Sequence, residues 1–191
     1  MDREIFVFPL DDVVFYPKTT LPLNVFEPRY VQMINDSIES GTPIAICPID
    51  PADPSGHDGK LIVGFGMPYV FHHRSDGTMV VLLQGQGKAE IGEIVGTEPY
   101  LTCRAEVVSE RDEVETSYTE AMERLNRVLL RWIEKNVADP SQRDALLVSL
   151  TSPQRVLETL AMVGVKDPDI QQGILEMDDV NERIRLMRFL F

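Results

Sequence analysis

The sequence predicts an α+β protein: a β-rich first half with one inserted helix, built as a small barrel or sandwich, followed by a helical bundle. Three observations carry this expectation. Leu101, Cys103, Ala105 and Val107 alternate with Thr102, Arg104 and Glu106, the period of a strand with one face inward. Residues 61–71 and 79–83 are apolar and flank a polar tip containing Asp76-Gly77, which reads as a hairpin. From about residue 115 the apolar positions recur instead at steps of three and four, as on one face of a helix.

The elements follow in order. Residues 5–10 and 13–15 are short, β-branched or aromatic, and separated by Asp11-Asp12, which suits a turn between two strands. Pro28 fits a first helical position, Tyr30, Met33, Ile34 and Ile38 recur at helical spacing, and Gly41 with Pro43 ends that helix. Residues 44–49 and 89–95 are further candidate strands. Gly64 and Gly66 permit a bulge, and Gly85 and Gly87 read as bends at strand ends. Residues 50–59, with two prolines and two glycines, read as a loop.

In the second half, Ser117 and Glu120 fit a capping box ahead of a long helix striped by Tyr118, Met122, Leu125, Leu129 and Trp132. Asp139-Pro140, Ser152-Pro153 and Asp167-Pro168 each place a capping side chain before a proline, and so predict three short helices. A last helix is expected to start near Asp179. The division expected is residues 1–112 for the β-rich part and 113–191 for the bundle.

Composition excludes some functions. The chain of 191 residues is 43% hydrophobic and 26% charged, enough apolar material for a real core. Its 31 acidic against 18 basic side chains give a net charge of -13, which repels phosphate backbones; neither nucleic acid nor membrane is an expected partner. The start, Met1-Asp2-Arg3-Glu4, is acidic where a secretory signal would be basic. Cys47 and Cys103 are far apart in apolar surroundings, so buried thiols in the cytoplasm are expected.

Catalytic motifs are not legible. Gly87-Lys88-Ala89 approaches a phosphate-binding loop, but Leu82 stands at the first glycine position and Ala89 at the hydroxyl position. His72 and His73 are adjacent, and neighbours on a strand point to opposite faces, so they and the loop residue His57 read as exposed histidines rather than metal ligands. The acidic run over residues 110–115 reads as a solvated linker and Asp178-Asp179 as a helix start. No catalytic residue, cofactor or metal is expected, although an unrecognised hydrolase stays open because carboxylates abound.

The most specific stretch is Phe8-Pro9-Leu10, then Val13-Val14-Phe15-Tyr16-Pro17, then Leu21-Pro22-Leu23-Asn24-Val25-Phe26-Glu27-Pro28-Arg29-Tyr30. In order and spacing it resembles the N-terminal, substrate-binding domain of the Lon proteases, which starts Phe-Pro-Leu, runs to Phe-Pro-Gly and Leu-Pro-Leu, and continues Ile-Phe-Glu-x-Arg-Tyr. Tyr16-Pro17-Lys18 stands where the family usually has Phe-Pro-Gly, and Gln84-Gly85-Gln86-Gly87-Lys88 where it usually has Gly-x-x-Arg.

The resemblance implies a PUA-like β half, a helical second half, and a stand-alone recognition module without the ATPase and peptidase domains. Pro9, Leu10, Pro17, Pro22, Glu27, Arg29 and Tyr30 are expected to serve the fold, with Phe8, Phe15, Leu21, Leu23, Val25 and Phe26 in the core. Tyr16, Tyr69 and Phe71 are the candidate peptide contacts. The implied partners are unfolded or degron-bearing polypeptides, or a protease or adaptor, with the protein itself a monomer or weak homo-oligomer. The alternative is an RNA- or small-ligand-binding PUA-like protein.

Overall fold

The computed structural model describes residues 2–48, 51 and 61–191. The loop expected over residues 50–59, with His57, lies outside the described residues apart from Pro51. Two compact units are present, Met1–Val108 and Ser109–Phe191.

The first unit holds strands β1 (Asp2–Pro9), β2 (Thr20–Val25), β3 (Ile44–Cys47), β4 (Ile62–His73), β5 (Met79–Gly96) and β6 (Leu101–Val108), with helix α1 (Pro28–Ser40) between β2 and β3. They form one sheet in the order β2-β5-β4-β3-β1-β6, and a further pairing of β5 with β6 closes a ring of five strands. Among the described strands only the β1–β3 pair is parallel. The 18 residues of β5 make the closure possible: positions 79–84 pair with β2, 79–90 with β4 and 88–96 with β6.

Two cores lie on the two faces of this sheet. Ile5, Val7, Ala45, Cys47, Phe65 and Cys103 fill one, where several small side chains suit a tight space. Phe6, Phe8, Ile44, Ile46, Leu23 and Val81 form the other, which Tyr30, Met33 and Ile34 of α1 cover. Strand β1 therefore reads as an unbroken apolar run, Ile5 to Phe8, because both of its faces are buried. Helix α1 is pinned further by Tyr100, whose hydroxyl donates to Asp36 Oδ2 at 2.6 Å while its ring meets Phe6 edge-on. Burial, and then the Asp36 carboxylate, push the Tyr100 phenol well above its ordinary pKa.

Several sequence expectations are corrected. Residues 13–15 form no strand; they cross the sheet at Gly64, where an added Cβ would stand 1.7 Å from the Phe15 carbonyl oxygen. Residues 89–95 are the far end of β5, not a separate strand, and Gly85 and Gly87 lie inside it. Gly85 is needed for closeness, since its Cβ would be 2.5 Å from the Tyr16 carbonyl oxygen. The register does shift at Gly66, and the hairpin of β4 and β5 turns at Asp76-Gly77 with Gly77 at φ 85°.

The second unit holds a 3-10 turn (Thr116–Tyr118) and helices α2 (Thr119–Asn136), α3 (Pro140–Ser149), α4 (Pro153–Gly164), α5 (Pro168–Glu176) and α6 (Val180–Leu190). The Ser117 capping box does not form, because the 3-10 turn precedes the helix and leaves Tyr118 as its cap. Met122, Leu125, Leu129 and Ile133 are the buried stripe, with Trp132 only half-buried beside them. Asp139, Ser152 and Asp167 cap α3, α4 and α5 through their side chains, each followed by proline. Asp179 caps α6. No helix among the described residues is long and apolar enough to cross a membrane.

Three outcomes are expected. Gly64→Ala, forced against the Phe15 carbonyl, costs more than about 3 kcal/mol or prevents folding. Gly96→Ala, with nothing within 4 Å of its Cβ, changes stability by no more than about 0.5 kcal/mol; thermal unfolding of both checks the contrast. Asp179→Ala costs about 1 kcal/mol at neutral pH. The Asp179 carboxyl is held below its ordinary value of 3.8 by the Asn181 amide donors first and Arg111 after them. Its stabilisation is thus complete above the ordinary value and lost as pH falls through the lower folded one. The gap in urea midpoint between the two proteins should close on that acid side.

Candidate functional site

Strands β2, β5 and the far half of β4 carry apolar side chains on the face opposite the core. Directly paired residues share a face. Leu23, Val81 and Val70 face the core that α1 covers, so the neighbouring row of Pro22, Leu82 and Tyr69 faces outward, and the next row is Asn24, Val80 and His72. Tyr69 is 59% exposed, and Phe71, in the bulge between Val70 and His72, is 69% exposed. The ladder continues to the hairpin tip, where Asp76 Oδ1 accepts from the Thr78 amide and hydroxyl; those two bonds hold its carboxyl below the usual range. Arg74 reaches back to Asn24 Oδ1 at 3.2 Å and ties the tip to β2.

A groove of about 630 Å³ lies along the other edge of β2, lined by Phe8, Leu10, Pro22, Phe26, Arg29 and Tyr30 among others. Pro22 and Asn24 belong to both the groove and the outward face. Phe8 and Tyr30 stack at 4.3 Å, and the Arg29 guanidinium lies 4.6 Å over the Tyr30 ring while bonding Glu27 Oε2 at 3.0 Å. Tyr30 and then Glu27 raise the pKa of Arg29 above its ordinary value. Strand β2 pairs only with β5 among the described residues. Thr19 O accepts from Gly85 N, so by alternation the main-chain groups of Thr20, Pro22 and Asn24 point to the open edge. Proline there, lacking an N–H, blunts that edge.

The sequence-expected residues divide. Phe8, Leu23 and Tyr30 are buried as core, but Phe26 is 70% exposed because it follows the last residue of β2 and precedes α1, where neither element shelters it. Tyr16 is 1% exposed and offers no surface to a ligand in this structure. Its carbonyl accepts from the Thr19 hydroxyl at 2.6 Å, closing a turn in which Lys18 has φ 56°. That left-handed backbone explains a glycine at this position in the family pattern. Leu82 and Val80, half-buried on the same outward face, are not among the residues the sequence points to. The signal was present, since the unbroken run Val80-Val81-Leu82-Leu83 makes both faces of β5 apolar.

Lys88 is buried inside β5, and His72 and His73 are exposed at the end of β4. Among the described residues no group of three or more His, Cys, Asp or Glu could hold a metal ion. Glu110 is not part of a solvated linker: with Glu158 it flanks the buried Arg183, which also donates to the carbonyls of Ile174 and Met177. One guanidinium thus links Glu110 to Glu158 of α4 and to the main chain at α5.

Residues 4–190 match the family model described as the ATP-dependent protease La (LON) substrate-binding domain. The chain belongs to that family. It is 24% identical over 193 residues to the Lon protease of Flavobacterium johnsoniae. The identity is 26% over 191 residues to that of Dictyoglomus thermophilum and 28% over 196 residues to that of Escherichia coli strain K12. In each case 96% of the chain is matched against 23 to 24% of the relative, so it spans about a quarter of the curated relatives' length. Among solved structures, two examples show that the fold is similar. One is a Lon N-terminal domain protein from Xanthomonas campestris, with TM-score 0.70 and 20% identity over 97% of this chain and 96% of that one. The other is the N-terminal domain of the Mycobacterium avium complex Lon protease, with TM-score 0.71 and 19% identity over 98% and 97%.

One prediction tests the Lys18 turn. Lys18→Gly removes the left-handed strain and raises stability by up to about 1 kcal/mol, whereas Lys18→Ala keeps the strain and leaves it unchanged. Urea midpoints at constant slope measure both.

Proposed function

We propose that this member of the Lon substrate-binding family is a non-catalytic recognition module that binds exposed apolar segments of other polypeptides on the outward face of β2, β5 and β4. The observation that carries the reading is the contiguous row Pro22–Leu82–Tyr69 with Phe71 beside it, exposed at Pro22, Tyr69 and Phe71 and half-buried at Leu82, in a family described by substrate binding. Contiguous exposed apolar area is costly in water and marks interaction surfaces. Phe26 and the groove along β2 extend the same surface.

In this reading residues 1–112 form a PUA-like barrel that carries recognition, and residues 113–191 form a helical bundle. Five strands closed into a ring support the first, and packing of α2, α4 and α6 on one another supports the second. The partners are unfolded or degron-bearing chains, or a protease or adaptor that presents them. Because aromatic anchors dominate such contacts, affinity depends on a few rings and changes little with the surrounding polar rim.

Tyr69→Ser/Phe71→Ser should weaken binding of a labelled, permanently unfolded polypeptide about tenfold, from loss of two aromatic anchors. Both side chains are exposed, so the melting temperature should stay within about 2 °C of the parent. Undiminished binding by the folded double variant would remove this face from consideration.

A further inference from the structure

Strand β2 ends its sheet with main-chain groups to spare. Among the described residues it pairs only with β5. By the alternation that starts with Gly85 N on Thr19 O, the ladder bonds fall to Leu21, Leu23 and Val25, while Thr20, Pro22 and Asn24, all exposed, turn the other way. Thr20 and Asn24 each offer an N–H and a C=O there, and Pro22 a C=O alone. That makes five main-chain groups along about 13 Å of strand.

Proline is the only protection this edge carries in its own sequence. Edges are usually guarded by charged side chains and bulges as well. The six residues of β2, Thr-Leu-Pro-Leu-Asn-Val, hold no charge in a chain that is 26% charged, and their register with β5 runs unshifted from Thr20 to Val25. Beside the edge lies the groove of about 630 Å³, walled by Leu10, Phe26 and the Phe8–Tyr30 stack. Of its charged lining residues Asp11, Glu27 and Arg29, the last two bond each other at 3.0 Å.

Such an edge matches another main chain. N–H and C=O groups at strand spacing are satisfied in register by an extended polypeptide, whose alternate side chains then share one face. A second copy of this chain fits less well. Two β2 edges pairing antiparallel about Pro22 set proline opposite proline, with two carbonyls facing and no donor between them, and each copy brings a net charge of -13.

We propose that the open edge of β2 takes one extended segment of a partner polypeptide as an added strand, with alternate apolar side chains in the groove against Leu10, Phe26 and the Phe8–Tyr30 stack. Pro22 forfeits one bond to that segment and discourages pairing between copies. The proposal rests on the reading of the domain as a polypeptide binder and adds how the bound chain is held. Main-chain bonds carry no side-chain preference, so the segment is selected by apolar alternation and freedom from proline rather than by a fixed motif.

Fluorescence anisotropy on the full chain, with a labelled peptide of three Thr-Val repeats between Gly-Ser ends, tests this. Alternate N–H groups of a strand point to opposite edges, so methylating the three Val nitrogens and methylating the three Thr nitrogens block opposite sides of the peptide. One pattern should weaken binding at least tenfold, through lost main-chain bonds, and the other should stay within about threefold of the unmethylated peptide. Pro22→Ala, which restores the missing donor, should bind the unmethylated peptide about fivefold tighter. The Tyr69→Ser/Phe71→Ser protein should bind it like the parent. Equal effects of the two methylation patterns overturn the proposal, as does unchanged binding by Pro22→Ala. If the peptide fails to bind while a permanently unfolded polypeptide binds, the edge is excluded and the outward face stands; if neither binds, both readings fall. Dimerisation of the chain through β2 that the peptide cannot displace overturns it too.

Discussion

The β unit depends on β1 being buried on both faces. Ile5 and Val7 point into the closed ring while Phe6 and Phe8 point under α1, so one four-residue run joins two cores that would otherwise be independent. Each such side chain contributes on the order of 2 kcal/mol when fully buried, and β1 also supplies the parallel ladder to β3 and the antiparallel ladder to β6. A polar substitution in this run has no solvent-facing side on which to be tolerated. The first helix, the ring and the position of β2 therefore share one foundation.

From that foundation the location of the exposed rings follows. Beyond Pro68, β4 leaves the ring and runs out with β5 and β2 as a three-stranded extension, covered by α1's core on one face only. Its other face still carries Tyr69, Leu82 and Pro22. An extension held to its base by ladder bonds and by the Arg74–Asn24 contact keeps those side chains fixed while they remain accessible. Recognition on a rigid strand surface avoids the ordering cost that a mobile loop would add on binding.

Charge is used in two opposite ways in the helical unit. Around Arg183, two carboxylates and two carbonyls enclose one guanidinium almost completely. On the surface of α2 and α6, Arg127 meets Glu123 only at 3.9 Å and the Arg188 guanidinium lies over the Phe189 ring. The first arrangement satisfies a buried charge, as it must in a low-dielectric interior; the second leaves charge to solvent. The same residue type thus serves inside the unit or on its surface, and only its surroundings tell which.

Much of this was legible in the chain. The proline-punctuated stretch from Phe8 to Tyr30 identified the family, the alternation over residues 101–107 gave β6, and the Asp/Ser-Pro pairs gave three helix starts, because local backbone preferences and periodicity act within a few residues. What depended on distant residues was not legible. Phe26 looked like core and is exposed, Tyr16 looked like a contact and is buried, and Glu110 looked like linker and is bonded to Arg183, 73 positions away. Position 18 shows the boundary between the two kinds of knowledge: the sequence alone recorded a lysine where the family has glycine, but the φ of 56° that makes the difference matter belongs to a turn set by Gly85 and Thr19. Sequence determined the helices and the clearest strands; tertiary structure decided where the remaining strands begin and end and which faces meet water, because pairing and burial are properties of the whole packed chain.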